Sequence, residues 1–208
     1  MNENMNNKPV NTSAEDHVHF WSVAATIFTY GCLIITFIDR LRDGKIDADL
    51  KFYLIVAVVT ALVTLSGIVD SRFVHVLRGV GLILLLEAFI IHDIEEIHKY
   101  LSDFSQIKGI DDVQILIWLG SLGLFLIFEA VKSLVHIYSK GLTVFVVITG
   151  IVNVIATLFL LVIHYENVNP FDVYQFVNDN IRYFIFGFFL LANLGLSIGY
   201  QKTAKKKA

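Results

Sequence analysis

The sequence predicts an all-α, polytopic membrane helical bundle of about six transmembrane helices. Of its 208 residues, 56% are hydrophobic, and the mean hydropathy is +0.68. That is more apolar surface than one soluble core buries. The apolar residues also arrive in runs of about 18 or more, the length that crosses roughly 30 Å of hydrocarbon at about 1.5 Å per residue. Charges fall almost entirely between the runs, which are continuously apolar rather than alternating. That pattern fits helices and not barrel strands.

In order, the expected spans are residues 20–38, 52–69, 73–91, 113–135, 142–163 and 181–200. They form a transmembrane domain, 20–200, between a polar N-terminal tail, 1–19, and a basic C-terminal tail, 201–208. Turn and charge signals separate them, such as Asp70-Ser71-Arg72, Ser139-Lys140-Gly141 and Asn167-Val168-Asn169-Pro170. The third helix is expected to continue to Leu101, because Ile90, Ile94, Ile97 and Leu101 keep three-or-four spacing while the other faces become charged. Pro170 to Val177 reads as a short interfacial helix capped by Asn169. Trp21, Tyr53, Trp118, Tyr138, Tyr165, Tyr183 and Tyr200 stand where an aromatic belt would anchor the spans at the headgroups.

The start of the chain lacks the positive region and small-residue cleavage site of a secretory signal, so the first span is expected to stay attached. A net charge of −3 gives no electrostatic reason to expect nucleic-acid binding, and the Lys202, Lys205, Lys206 and Lys207 tail reads as a membrane-face anchor. Six spans put both termini on one face, with Lys8, Arg72, Arg78, Lys132, Lys140 and the tail lysines. That makes nine basic residues against seven opposite. The positive-inside rule then expects cytoplasmic termini, with a bacterial inner membrane as the host, although Arg40, Arg42, Lys45 and Lys51 pull the other way. The single cysteine, Cys32, lies inside the first run and excludes an intrachain disulfide.

Glu87 and Glu129 lie within apolar runs, where an ionised carboxylate costs a few kcal/mol and must be neutral, paired or facing a watery cavity. Their surroundings match, Gly81-Leu82-Ile83-Leu84-Leu85-Leu86-Glu87-Ala88 beside Gly123-Leu124-Phe125-Leu126-Ile127-Phe128-Glu129-Ala130. An inverted repeat would make them a paired-carboxylate centre. Asn153 and Asn193 add polar groups at membrane depth, either along an ion pathway or as interhelical hydrogen bonds. Fixed pairing of the glutamates with Arg78, Lys132 or an asparagine is the structural alternative.

A second constellation, His92, Asp93, Glu95, Glu96 and His98, stands where the third helix leaves the membrane, with His164 and Glu166 on the same side. It offers ligands for a divalent metal, pH-sensing histidines, or simply a solvated helix end. His75 and His136 near one face, with His92 and His164 near the other, would suit two stacked haems, a third reading. The sequence demands no cofactor. It has no phosphate-cradling glycine loop, Gly-x-Ser-x-Gly, His-Glu-x-x-His or Cys-x-x-Cys, which lowers the expectation of an enzyme.

The leading functional expectation is a small oligomeric proton or cation transporter or channel built on Glu87 and Glu129. The alternative is a non-transporting module, either a partner subunit contacting a protein through its interfacial segments or a membrane-perturbing effector of a stress or defence system.

Overall fold

The computed structural model describes residues 12–42, 44, 48–69, 71–102, 107–135, 140–166 and 173–207. Among them the chain forms eight helices and no strand. These are α1 (Thr12–Arg42), α2 (Ala48–Ile68), α3 (Arg72–His92), α4 (Ile94–Ser102), α5 (Ile110–Val135), α6 (Lys140–Glu166), α7 (Val173–Asp179) and α8 (Ile181–Lys207). Five of them carry stretches long and apolar enough to cross a membrane, Phe20–Arg42, Asp49–Ile68, Arg72–His92, Ile110–Val135 and Gly141–Tyr165. The sixth expected span is shorter in its apolar part, Ile181–Ser197, which at about 1.5 Å per residue covers roughly 25 Å. This is an integral helical membrane protein.

The helix ends follow local chemistry. After α1 the chain turns at Gly44, whose φ of 67° is open to a residue without Cβ, and whose N–H closes on the Leu41 carbonyl at 3.1 Å. The third helix stops at Asp93 instead of running unbroken to Leu101, and α4 restarts immediately beyond it. The amphipathic extension is therefore a separate helix. Its Tyr100 is buried and donates to Asp112 Oδ1 at 2.8 Å, docking α4 on the first turn of α5. Burial and that carboxylate hold the Tyr100 phenol above its ordinary pKa, so it remains a donor. Part of the segment expected as an interfacial helix forms a short helix, α7, at Val173–Asp179, while Asn169, Pro170 and Phe171 lie outside the described residues.

Several threonine hydroxyls inside the spans are satisfied within their own helices. Thr29, Thr36, Thr60 and Thr157 each donate to the carbonyl four residues earlier, at 2.7–3.0 Å.

The six long helices close into a ring in the order α1, α2, α3, α5, α6, α8 and back to α1. Neighbours run antiparallel. Between α3 and α5, Gly79 meets Leu134 at one end and Phe89 meets Trp118 at the other. Between α1 and α8, Ser22 meets Gly195 while Phe28 stacks on Phe188. The ends of α2 and α5 therefore share a face with the starts of α1, α3 and α6 and the end of α8, here the terminal face. The core within the ring is Leu82, Leu85, Leu122, Phe125, Phe189 and Leu190, all buried. Toward the opposite face it becomes aromatic, with Phe89, Trp118 and Phe186 at mutual centroid distances of 5.9 Å.

Trp118, Tyr53 and Tyr183 belong to this core and not to the expected aromatic belt. Their helix phase faces inward, and Trp118 Nε1 donates to Thr157 Oγ1 at 3.1 Å. Trp21 and Tyr165 are exposed, as belt residues are, and Tyr138 and Tyr200 fall where no side chain is described.

Candidate functional site

The buried charged centre is decided by helix phase. On α3 the buried stripe runs through Val74, His75, Arg78, Leu82, Leu85 and Phe89, at three-or-four spacing. It carries Arg78 inward, about 9 Å along the helix from Arg72. On α5 the buried stripe runs through Trp118, Leu122, Phe125, Leu126, Glu129 and Lys132. Arg78 and Glu129 meet between the two helices. Arg78 Nη2 donates to Glu129 Oε1, which also accepts from Ser197 Oγ of α8 at 2.8 Å. The same guanidinium donates to Asn193 Oδ1 at 3.1 Å and reaches Ser66 Oγ of α2 at 3.4 Å. Asn193 in turn donates to the Phe189 carbonyl at 2.9 Å.

Lys132 is also buried, with Nζ 3.7 Å from Glu129 Oε2. Glu129 is fully buried, so the cluster holds two cations and one carboxylate out of water, a net charge of +1 when all three are ionised. Glu129 Oε2, Lys132 Nζ and Arg78 Nε have no hydrogen-bond partner among the described residues. An incompletely satisfied charge inside the bundle is expensive.

Glu87 lies elsewhere. It sits on the exposed stripe of α3 with Val80, Ile83, Leu84 and Ile91, and no hydrogen bond or ion pair joins it to the described residues. The expected pairing of Glu87 with Glu129 is therefore not formed. The matching octapeptides are out of phase as well. Leu82 and Leu85 are buried where Leu124 and Ile127 are exposed, and Ile83 and Leu84 are exposed where Phe125 and Leu126 are buried. No two-fold repeat relates segments that present opposite faces to the core.

Asn153 sits at mid-depth and donates to the Trp118 carbonyl at 2.8 Å and to Ser121 Oγ at 3.0 Å, tying α6 to α5. It acts here as an interhelical bond. Asn193 joins the charge cluster instead, through Arg78.

At the opposite face a second network links four helices. Arg40 Nη2 bonds Asp49 Oδ2 at 2.6 Å, Asp49 Oδ1 faces His92 Nε2 at 3.2 Å, and His92 Nδ1 faces Asp93 Oδ1 at 3.2 Å. Asp93 is buried and accepts from Arg182 Nη1 of α8 at 3.1 Å. Arg182 also donates to Tyr183 Oη at 3.0 Å and lies over the Trp118 ring. His92 stacks on Phe52 at 4.4 Å. A neutral imidazole has one N–H and can serve one of the two aspartates, whereas the imidazolium serves both.

The two aspartates stand on opposite nitrogens of His92 and do not converge, Glu95 and His98 are exposed, and no group of three such side chains among the described residues is placed to hold a metal ion. The side chains of Glu96 and Glu166 lie outside the description. As haem ligands, His92 has both nitrogens engaged, His164 Nδ1 pairs with Asn180 Oδ1, His75 is buried in α3, and His136 is outside the described residues. Sequence reasoning missed Asp49 and Arg182, which lie at helix ends and gain meaning only when α2 and α8 bring them beside α3.

No protein-family model, curated protein or solved structure matches this chain.

Proposed function

We propose that this chain is a small membrane transport protein that moves protons through the bundle, with Arg78, Glu129 and Lys132 as the exchange centre. The observation that carries the reading is a net-positive charge cluster, buried inside the bundle, whose Glu129 Oε2 and Lys132 Nζ face one another without a hydrogen bond. Protonating Glu129 weakens its hold on Arg78 and so couples proton occupancy to the contact between α3, α5 and α8. A centre already bearing two cations suits a proton better than a divalent cation. The polar network at the opposite face, about 21 Å along α3 from Arg78 to His92, supplies the second mouth. With Arg78 and Lys132 in the buried cluster the basic residues no longer favour either face, so a bacterial inner membrane with cytoplasmic termini is carried by the lysine tail alone, while the apolar outer surface suits assembly with further copies.

The test is proton flux into proteoliposomes loaded with a pH-sensitive dye under an imposed potential. Flux that is lost in Glu129→Gln and retained in Glu87→Gln supports the reading. Folded wild-type protein that passes no protons sinks it. A second reading, a non-transporting module held together by the same cluster, draws on the tight aromatic packing of Phe89, Trp118 and Phe186. Purification with a stoichiometric partner and no flux would favour it.

A further inference from the structure

Glu87 poses a separate question, because it is an ionisable group on the outer side of the ring. Its Cα lies five residues before His92, about 7–8 Å inside the end of the span. It lines a groove between α2 and α3 with a volume of about 510 Å³, within the range of small-molecule sites. The groove extends from Leu77 to Ile91, roughly 21 Å along α3, with Leu54 and Val58 of α2 as its other wall. Glu87 is its one polar side chain among the described residues. Many of the lining side chains, including Leu54, Val58, Leu84 and Ile91, are exposed on the outside of the bundle, so the groove opens toward lipid.

A carboxylate in such a wall calls for a cation that reaches it through hydrocarbon. No basic side chain among the described residues pairs with it. Among the described residues, the basic side chains of the spans are either buried, as Arg78 and Lys132 are, or at helix ends, as Arg40, Arg42, Lys51, Arg72 and Arg182 are. A second copy packed on this face would bring Lys51 toward Glu87, and the cross-linking arm of the test below reads that case. An acyl chain would fill the aliphatic wall and leave the carboxylate unmet. A ligand that joins an apolar body to a positive charge satisfies both parts.

We propose that the α2–α3 groove binds a lipophilic organic cation, whose charge lies against Glu87 and whose apolar body covers Leu54, Val58 and Leu84. This goes beyond the proton centre, with which Glu87 shares no contact, and it stands or falls separately.

The test is equilibrium binding of tetraphenylphosphonium to the full-length protein in phosphatidylcholine nanodiscs. Wild type should bind it saturably, one per chain. Glu87→Gln, on the lipid-exposed stripe, should weaken binding by about tenfold or more, as loss of a charge-assisted contact does. Leu84→Trp fills the groove without touching the carboxylate and should also abolish binding. Tetraphenylborate, of the same shape and opposite charge, should not compete. Equal binding by wild type and Glu87→Gln overturns the proposal. So does absence of saturable binding by wild type, or Val58→Cys chains that cross-link in pairs and exclude the probe, which would make a second copy the occupant.

Discussion

Arg78 of α3 and Glu129 of α5 form a buried ion pair joined by α8, since Ser197 shares the carboxylate oxygen and Asn193 accepts from the guanidinium. The two residues are 51 positions apart and are brought together by antiparallel packing. Four helices meet at this point once Ser66 of α2 is included. Truncating one partner leaves the other charge uncompensated in a site that water does not reach.

Glu129→Leu and Arg78→Leu should each destabilise the protein by about 3–5 kcal/mol, the usual cost of orphaning a buried charge. The double variant should lose less than the sum of the two, because each substitution removes the other's stranded partner. Reversible unfolding in mixed detergent micelles measures this, and strict additivity would mean that the pair is not coupled.

Function should separate the two glutamates. Glu129→Gln should lower proton flux by about tenfold or more, in the range typical of losing a proton-transfer group. Glu87→Gln should leave it within about twofold, since that residue faces away from the bundle interior. The proteoliposome dye assay reads both, and equal losses would mean that the two carboxylates share a path.

At the opposite face, Arg182 serves Asp93 and Tyr183 Oη with different nitrogens and covers Trp118. Arg182→Lys should cost about 1–2 kcal/mol, because an ammonium is a single point and cannot reproduce the fork. In a Trp21→Phe background, Trp118 fluorescence reports the same change. An unaltered emission spectrum would argue against the stacking contact.

The α1–α8 contact depends on small residues. A Cβ added at Gly195 would lie 2.8 Å from Ser22 Cβ and 3.4 Å from Ser22 Cα, and Ser22 Oγ bonds the Ala192 carbonyl at 2.9 Å. Gly195→Val should therefore push the helices apart at a cost of about 1–3 kcal/mol, while Ser22→Ala loses only the hydrogen bond. Thermal unfolding of the two variants ranks them, and the reverse order would contradict the close approach.

Much of the fold is legible in the sequence because lipid imposes a simple rule. A run of apolar residues without charge has to span or be buried, so the helices appear at nearly the expected positions. The break at Asp93 is not legible, since Ile90, Ile94, Ile97 and Leu101 keep helical spacing straight through it. Trp118, Tyr53 and Tyr183 look like belt residues for a similar reason. Proximity to a span end along the chain does not say which way a ring points.

The sequence by itself determined the class of molecule, the approximate spans, and the presence of carboxylates and asparagines at membrane depth. It also held the correct partners for one glutamate, Arg78 and Lys132, among its alternatives. Only the tertiary structure decided that Glu129 faces inward and Glu87 outward, although the eight-residue segments around them share five identical positions and are equally apolar. Hydropathy records how apolar a helix is. In a membrane the outer surface is as greasy as the core, so the pattern that tells inside from outside in a soluble helix is almost absent here, and helix phase is set by packing against neighbours.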